Sequence, residues 1–348
     1  MDPASSTAIL SRQNGGGAGV QAGYTALRNS AGVRLCAERT IVRISGDDRA
    51  SFLHGMCSND ITGLKPGGLA AVLFLTERAH LIADAIVWAT ADALLLEMER
   101  ALWPAVRAHL ERFLVADDVE LEESGADAEY HGVIQIDGPR AAQALAAAFG
   151  EPAALTGAWR CGAAEGGALV AQVTRWGAPA FTILAERESA PQLVARLVAA
   201  GAERDVRAVS IEAAEIVRVE CGVARAGVDT NDKTIALEAR MESAISFGKG
   251  CYIGQETVER ATARGALKRR LMGLKIGGER IPAAGARVML ADKEVGHLTS
   301  PVCSPRLGVL GLGILHHSAW AAGTAVTIHD ADGELPAAVC ELPFASNR

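Results

Sequence analysis

The sequence has seven cysteines, at 36, 57, 161, 221, 251, 303 and 340, but no Cys-x-x-Cys pair and no Cys/His cluster at zinc-ligand spacing. With an odd total as well, a reduced compartment is the simplest reading. The neighbours His316 and His317 have no further ligand at metal spacing, so no metal site is expected. No apolar run approaches the ~20 residues needed to span a bilayer, and the N-terminus lacks a charged-then-apolar signal pattern. The expectation is a cytoplasmic protein with no membrane role. Neither Gly-x-Gly-x-x-Gly nor Gly-x-x-x-x-Gly-Lys-[Ser/Thr] occurs, which leaves a nucleotide fold without support. Positive charge is also short, with 34 Lys and Arg against 41 Asp and Glu and a net charge of -7. General binding to nucleic acid or anionic membrane is therefore disfavoured, and any polyanion site has to be local.

What is present is apolar material in quantity, 49% of 348 residues, too long a chain for one ordinary core. Residues 1–19 are rich in Ser, Gly, Ala and Asn and read as a disordered tail. Thr40–Gly46 alternates like a strand ending at a turn. Asp47 and Asp48 then suit a helix start, with Ala50, Phe52, Leu53 and Met56 as its apolar stripe. Strand-like runs follow at 70–75, 80–88 and 94–97, and a helix over 103–114 with Pro104 in its first turn. Gly132–Gly138 followed by a helix over 141–149 echoes the first strand–Gly–helix unit and suggests two related α+β modules. A strand over 181–185 and helices over 191–200 and 211–221, the last capped by Ser210, complete this part. Beyond Lys268 the chain breaks into short apolar runs separated by Gly, Pro and Asp, the pattern of a small antiparallel barrel. The expected organisation is 1–19 tail, 20–270 paired α+β domains with internal boundaries near 50 and 135, and 271–348 barrel.

The densest chemistry lies in Lys249-Gly250-Cys251-Tyr252-Ile253-Gly254-Gln255-Glu256. Two glycines allow a positive φ or a close backbone approach, and a helix is expected over 255–263. Cys251 stands just before that helix beside Lys249, a setting that favours thiolate over thiol. The alternative is a small buried Cys in a glycine turn, against which the polar neighbours argue. For the other six cysteines, packing as small hydrophobes is expected.

This octet, with Val258-Glu259-Arg260-Ala261 and Arg264-Gly265-Ala266-Leu267-Lys268-Arg269, resembles the signature of the YgfZ family of folate-binding proteins. That family is similar throughout to the glycine-cleavage T-protein, an aminomethyltransferase. Gly46-Asp47-Asp48, Ser58-Asn59-Asp60, Ile136-Asp137-Gly138-Pro139, Val217-Arg218-Val219-Glu220 and Val295-Gly296-His297-Leu298-Thr299-Ser300 look like landmarks of the same family in the same order. The resemblance implies an α+β fold, a T-protein-like three-domain ring of two related α+β domains plus a C-terminal antiparallel β-barrel around a folate channel. Tetrahydrofolate or a derivative is the implied cofactor. Cys251 and Asp84 are the implied catalytic positions, and Asp84, Thr182, Arg218, Lys249, Tyr252, Gln255 and Glu256 the implied folate contacts. Thr182 is a departure, since it stands where T-proteins carry a glutamate that pairs with the N–H edge of the pterin, and weaker pterin binding is expected. The octet, absent from T-proteins, favours a folate-binding accessory protein for iron–sulfur cluster assembly or repair, with assembly proteins or client enzymes as partners. Tetrahydrofolate-dependent aminomethyl transfer is the alternative. Whether any reaction is catalysed stays open. A third reading, an RNA-modification partner, rests on the basic run Arg260, Arg264, Lys268, Arg269 and Arg270. That run could equally hold folate glutamates, and without interleaved aromatics a solvated face is the simpler account.

Overall fold

The computed structural model describes residues 17–123, 132–150, 160–163, 167–264 and 267–344. In chain order the elements are α1 (Gly17–Asn29), β1 (Ala31–Leu35), β2 (Arg39–Ser45), α2 (Arg49–Met56), β3 (Leu69–Leu75), β4 (Leu81–Ala89), β5 (Leu94–Glu99), α3 (Trp103–Phe113) and β6 (Glu120–Glu123). Then follow β7 (Gly132–Asp137), α4 (Ala141–Phe149), β8 (Arg160–Ala163), β9 (Leu169–Arg175), β10 (Ala178–Ala185), α5 (Ala190–Ala200), β11 (Val206–Ala208), α6 (Ile211–Glu220) and α7 (Gln255–Arg264). Six strands close the chain: β12 (Arg269–Ile276), β13 (Arg287–Leu290), β14 (Lys293–Ser304), β15 (Gly308–His316), β16 (Ala325–Asp330) and β17 (Gly333–Cys340). Helix α1 corrects the expected tail, because residues 17–19 already belong to it; residues 1–16 lie outside the described residues.

Two compact units result, one of the described residues in 1–54, 60–72 and 85–214, the other of 55–59, 73–84 and 215–348. The first holds most of two sheets, ordered β11-β1-β7-β10-β9-β8 and β3-β4-β5-β2-β6. Only β1 and β11 run parallel among the described pairs of the six-stranded sheet. Alternation assigns its faces. Val33, Ile134, Ile136, Phe181 and Ile183 bury one face under α4 and α5, with Leu145, Val194 and Leu197. Cys36, Val133, Ala171, Val173, Ala180 and Leu184 turn the other way and pack on Ile41, Trp88 and Leu95 of the five-stranded sheet. The chain changes sheet between Leu35 and Arg39 and again between Glu123 and Gly132, so positions 50 and 135 fall within α2 and β7.

The strand–Gly–helix echo has a backbone cause. Gly46 and Gly138 follow β2 and β7 with φ of 97° and 119°. A Cβ on either would lie 2.0 Å from Asp118 O or 2.5 Å from Ser30 O. Only glycine takes both the dihedral and the approach. Ser210 contributes its Oγ to the N–H of Ala213 at 3.4 Å, the expected start of α6.

In the second unit the last six strands close in the order β12-β15-β14-β13-β16-β17, the antiparallel barrel that the sequence texture indicated, around Met272, Leu274, Val288, Leu298, Leu315, Ile328 and Val339. Among the described residues no helix is long and apolar enough to cross a membrane. Arg218, in the last turn of α6 and 4% exposed, joins helix to barrel. Its Nε donates to Glu215 at 3.0 Å, and its Nη2 to Glu215 Oε2 at 2.8 Å and Ser300 Oγ at 2.7 Å. Its Nη1 donates to Val223 O at 2.6 Å and Asp229 Oδ2 at 2.7 Å. All five guanidinium N–H groups are thereby matched. Asp229, 2% exposed, also accepts from Ser300 Oγ at 2.7 Å, from Thr299 Oγ1 and from the Arg225 N–H at 2.9 Å. Burial works against the Arg218 charge, but Asp229 and Glu215 outweigh it and hold the guanidinium pKa above its ordinary value. Removing one member strands the other charge in a dry site. Asp229→Ala should therefore lower stability by about 3–5 kcal/mol, read as a fall in the urea midpoint; a change below about 1 kcal/mol would show that the joint is not stabilising.

Candidate functional site

The Cys251 loop is built by residues that hold it down. Ser58 lies fully buried; its Oγ donates to Ala244 O at 2.6 Å and accepts from the Leu73 N–H at 2.8 Å, while its carbonyl takes the Ser246 N–H at 2.9 Å. The Ile253 N–H reaches Gly55 O at 3.3 Å. Segment 55–59 is thus the bed on which 244–254 lies. Lys249 turns its ammonium to the carbonyls of Cys57 (2.8 Å) and Asn59 (3.0 Å), with the Tyr252 ring centroid 5.0 Å away. Two carbonyls and an aromatic face make it a clamp between loop and bed.

Gly254, not Gly250, takes the left-handed conformation, with φ 89°. A Cβ there would come within 2.7 Å of Thr76 O, at the tip of the β3–β4 hairpin. Gln255 caps α7 reciprocally: its Oε1 accepts from the Tyr252 N–H at 3.3 Å and its own N–H donates to Tyr252 O at 3.2 Å. Its Nε2 then braces Glu259 at 2.8 Å. Tyr252 is buried, and burial, helped by Glu259, raises its phenol pKa. Glu256 is exposed in the first helical turn, where a carboxylate suits the helix dipole.

Within this frame Cys251 is exposed. Of the other cysteines Cys36 and Cys57 are buried and Cys221 and Cys340 half-buried, as expected of small apolar residues, whereas Cys303 is exposed on β14 and corrects that expectation. The side chain of Cys161 lies outside the described residues.

The remaining expected site residues lie outside this loop. Asp84 is half-buried in the body of β4. Arg218 has every donor matched within the helix–barrel joint and none left for a glutamate tail. Thr182, in the other unit, is fully buried on β10, and its Oγ accepts from Arg175 Nη2 at 2.5 Å. At this position a hydroxyl already engaged by a guanidinium does not fit the donor edge of a pterin, which needs a two-oxygen acceptor. Arg175 was not evident from the sequence; its signal is the Trp176-Gly177 turn that places it at the end of β9. In the basic run Arg269 pairs with the buried Glu238 at 3.0 Å and Arg260 Nη2 meets Thr257 Oγ1 at 3.3 Å, so both are tied to their own chain. Among the described residues no group of three His, Cys, Asp or Glu could hold a metal ion.

Comparison with known proteins gives a consistent answer along the chain. Residues 11–249 match the GCVT N-terminal domain, and residues 269–345 match the glycine cleavage T-protein C-terminal barrel domain. An aminomethyltransferase of Rubrobacter xylanophilus is 26% identical over 332 residues, covering 94% of this chain and 86% of its own. One of Corynebacterium aurimucosum is 25% identical over 339 residues, with coverage of 92% and 88%. The crystal structure of glycine cleavage system aminomethyltransferase T from Bartonella henselae shares the fold, with a TM-score of 0.82 at 22% identity over 95% of this chain and 91% of that one.

Two outcomes follow from the loop geometry. Gly254→Ala should cost about 1–3 kcal/mol through its backbone dihedral, with more from the contact at Thr76, and should alter the alkylation rate of Cys251; an unchanged melting temperature would show that the approach is not needed. Iodoacetamide should label Cys251 and Cys303 in the native protein and Cys36 and Cys57 only after unfolding. Burial pushes the Cys36 thiol up to about 12, the nearby Arg34 notwithstanding, so Cys36 should stay silent even at pH 9. Peptide mass mapping that finds Cys36 modified in folded protein would overturn its assignment.

Proposed function

Since this chain belongs to the glycine cleavage T-protein family, we propose that it is a folate-binding accessory protein of the YgfZ type, supporting iron–sulfur cluster assembly or repair in the cytoplasm with Cys251 as its reactive group. The observation that carries this reading is the division of labour in the octet. Lys249, Gly254 and Gln255 fix the loop through the Cys57 and Asn59 carbonyls, the Thr76 approach and the helix cap, and Cys251 is left exposed. A thiol held so can act as a thiolate nucleophile or a soft-metal ligand for a client protein's cluster. Its neighbours in the octet then serve by position. Lys249 keeps loop on bed, Tyr252 fills the space beneath it, and Gln255 and Glu256 start α7 at a fixed point. Folate, the family's ligand, is assigned a binding role only, because Thr182 does not supply the carboxylate of the T-proteins.

Aminomethyl transfer from a lipoyl carrier protein to tetrahydrofolate is the second reading. Its support is the name carried by the aminomethyltransferase relatives and the half-buried Asp84 of β4, a carboxylate of the kind that moves protons in catalysis.

A gene deletion complemented with wild type, Cys251→Ser or Asp84→Asn separates the two. The expected result is several-fold lower activity of iron–sulfur enzymes under oxidative stress in the deletion, rescue by wild type and by Asp84→Asn, and no rescue by Cys251→Ser. Full rescue by Cys251→Ser would sink the thiol assignment. Ammonia release from aminomethylated carrier by the purified protein, lost in Asp84→Asn, would instead favour transfer.

A further inference from the structure

The face of the six-stranded sheet that packs toward the five-stranded one is apolar except for one polar row. Register places Arg34 opposite Gln135 and Gln135 opposite Thr182, one residue from each of β1, β7 and β10. Asp137 lies two residues beyond Gln135 on the same face, and Arg175 reaches the row from the end of β9. Within the row Arg34 Nη2 donates to Gln135 Oε1 at 2.7 Å, Arg34 Nη1 to Glu38, and Arg175 to Asp137 Oδ1 at 2.7 Å and to Thr182 Oγ1 at 2.5 Å.

The consequence is an imbalance of polarity. The oxygens of Gln135 and Thr182 and one oxygen of Asp137 are occupied by the arginines. Among the described residues the Gln135 amide N–H groups, the Thr182 hydroxyl hydrogen and the rest of the Arg175 N–H groups have no protein acceptor. Thr182 is fully buried, Gln135 is 7% exposed and the Arg175 side chain 13%; no nitrogen of Gln135 or Arg175 is among the fully buried side-chain atoms without a partner, so their open donors are still reached by solvent. Arg34 and Arg175 are balanced by Glu38 and Asp137, so the row favours a neutral acceptor over an anion. A second sign comes from the hairpin that supports Arg175. Trp176 and Gly177 both take left-handed φ, 51° and 77°, a two-residue primed turn in which a tryptophan is strained.

We propose that this row recognises its ligand by hydrogen-bond acceptors, a ring carbonyl and the acceptor atom beside it on a flat heterocycle, with Arg175, Gln135 and Thr182 as donors. For a folate, on which the proposed function rests, this means presentation by the C4-carbonyl side of the pterin instead of its N–H edge. Arg175 and Gln135 then determine specificity, in place of the acidic clamp that Thr182 cannot provide.

Folic acid and aminopterin differ in the C4 substituent, carbonyl in one and amine in the other, and isothermal titration of the intact protein compares them directly. Folic acid should bind at least tenfold more tightly, since an amine meets the donors with further donors. Gln135→Leu should weaken folic acid about tenfold and reduce the preference. Arg175→Leu should do the same when combined with Asp137→Asn, which avoids a buried lone carboxylate, provided thermal melts confirm the fold. Equal binding of folic acid and aminopterin, or preference for aminopterin, overturns the proposal. Pterin and 2,4-diaminopteridine give the same comparison without the folate tail. Pterin preferred while no folate binds keeps the acceptor rule and removes the folate reading; no binding by any of the four removes both.

Discussion

The second unit depends on a single saturated cation. Arg218 is buried at the end of α6, and a buried guanidinium is tolerable only when its N–H groups are all answered and its charge is balanced. Asp229 and Glu215 give the balance, while Val223 O and Ser300 Oγ take the remaining donors. That requirement fixes where helix α6, the loop through Asp229 and strand β14 must meet. Ser304 extends the same logic by donating to the buried Glu220, whose carbonyl takes the Phe344 N–H at 3.0 Å. The motif residues around 218 and 300, distant in sequence, are two halves of one joint.

The Cys251 loop uses a gentler version of the same principle. Its anchors are main-chain carbonyls and a buried serine, not opposite charges, and each contributes on the order of 1 kcal/mol. Several acting together hold an exposed thiol in place without burying it. The clamp also explains why a cation is needed at 249. Two carbonyls converging on one point make a negative potential that an ammonium answers with its several donors.

The two sheets of the first unit show how a site can change polarity within an unchanged fold. Strand register puts Thr182 beside Gln135 whatever the side chains are, so the row is set by the backbone. Which atoms it offers depends on Arg175, seven residues earlier on the neighbouring strand. Across from it, the five-stranded sheet buries Glu97 between the Arg39 Nε at 3.2 Å and the Trp88 indole N–H at 3.3 Å. Glu97 is thus matched within its own sheet, whereas the row on the six-stranded sheet keeps donors without a protein acceptor, both in a largely apolar layer.

Much of this was legible in the amino-acid order. Helix 141–149, the capped start of α6, the glycines after β2 and β7 and the onset of the barrel near 270 follow from periodicity, capping and turn chemistry, which act over a few residues. The octet disclosed the loop for the same reason. Helix α1 and the short strands β1 and β11 escaped notice, one lying in a Gly- and Ala-rich segment and the others too brief to show a period. What only the tertiary structure decided is the employment of each polar group. Lys249 holds carbonyls near 57–59, Arg218 locks helix to barrel, and Arg175 turns the Thr182 position toward acceptors. Local sequence determines which donors and acceptors exist, whereas the fold, by bringing together residues up to some 190 positions apart, determines which of them are already satisfied and which remain for a ligand.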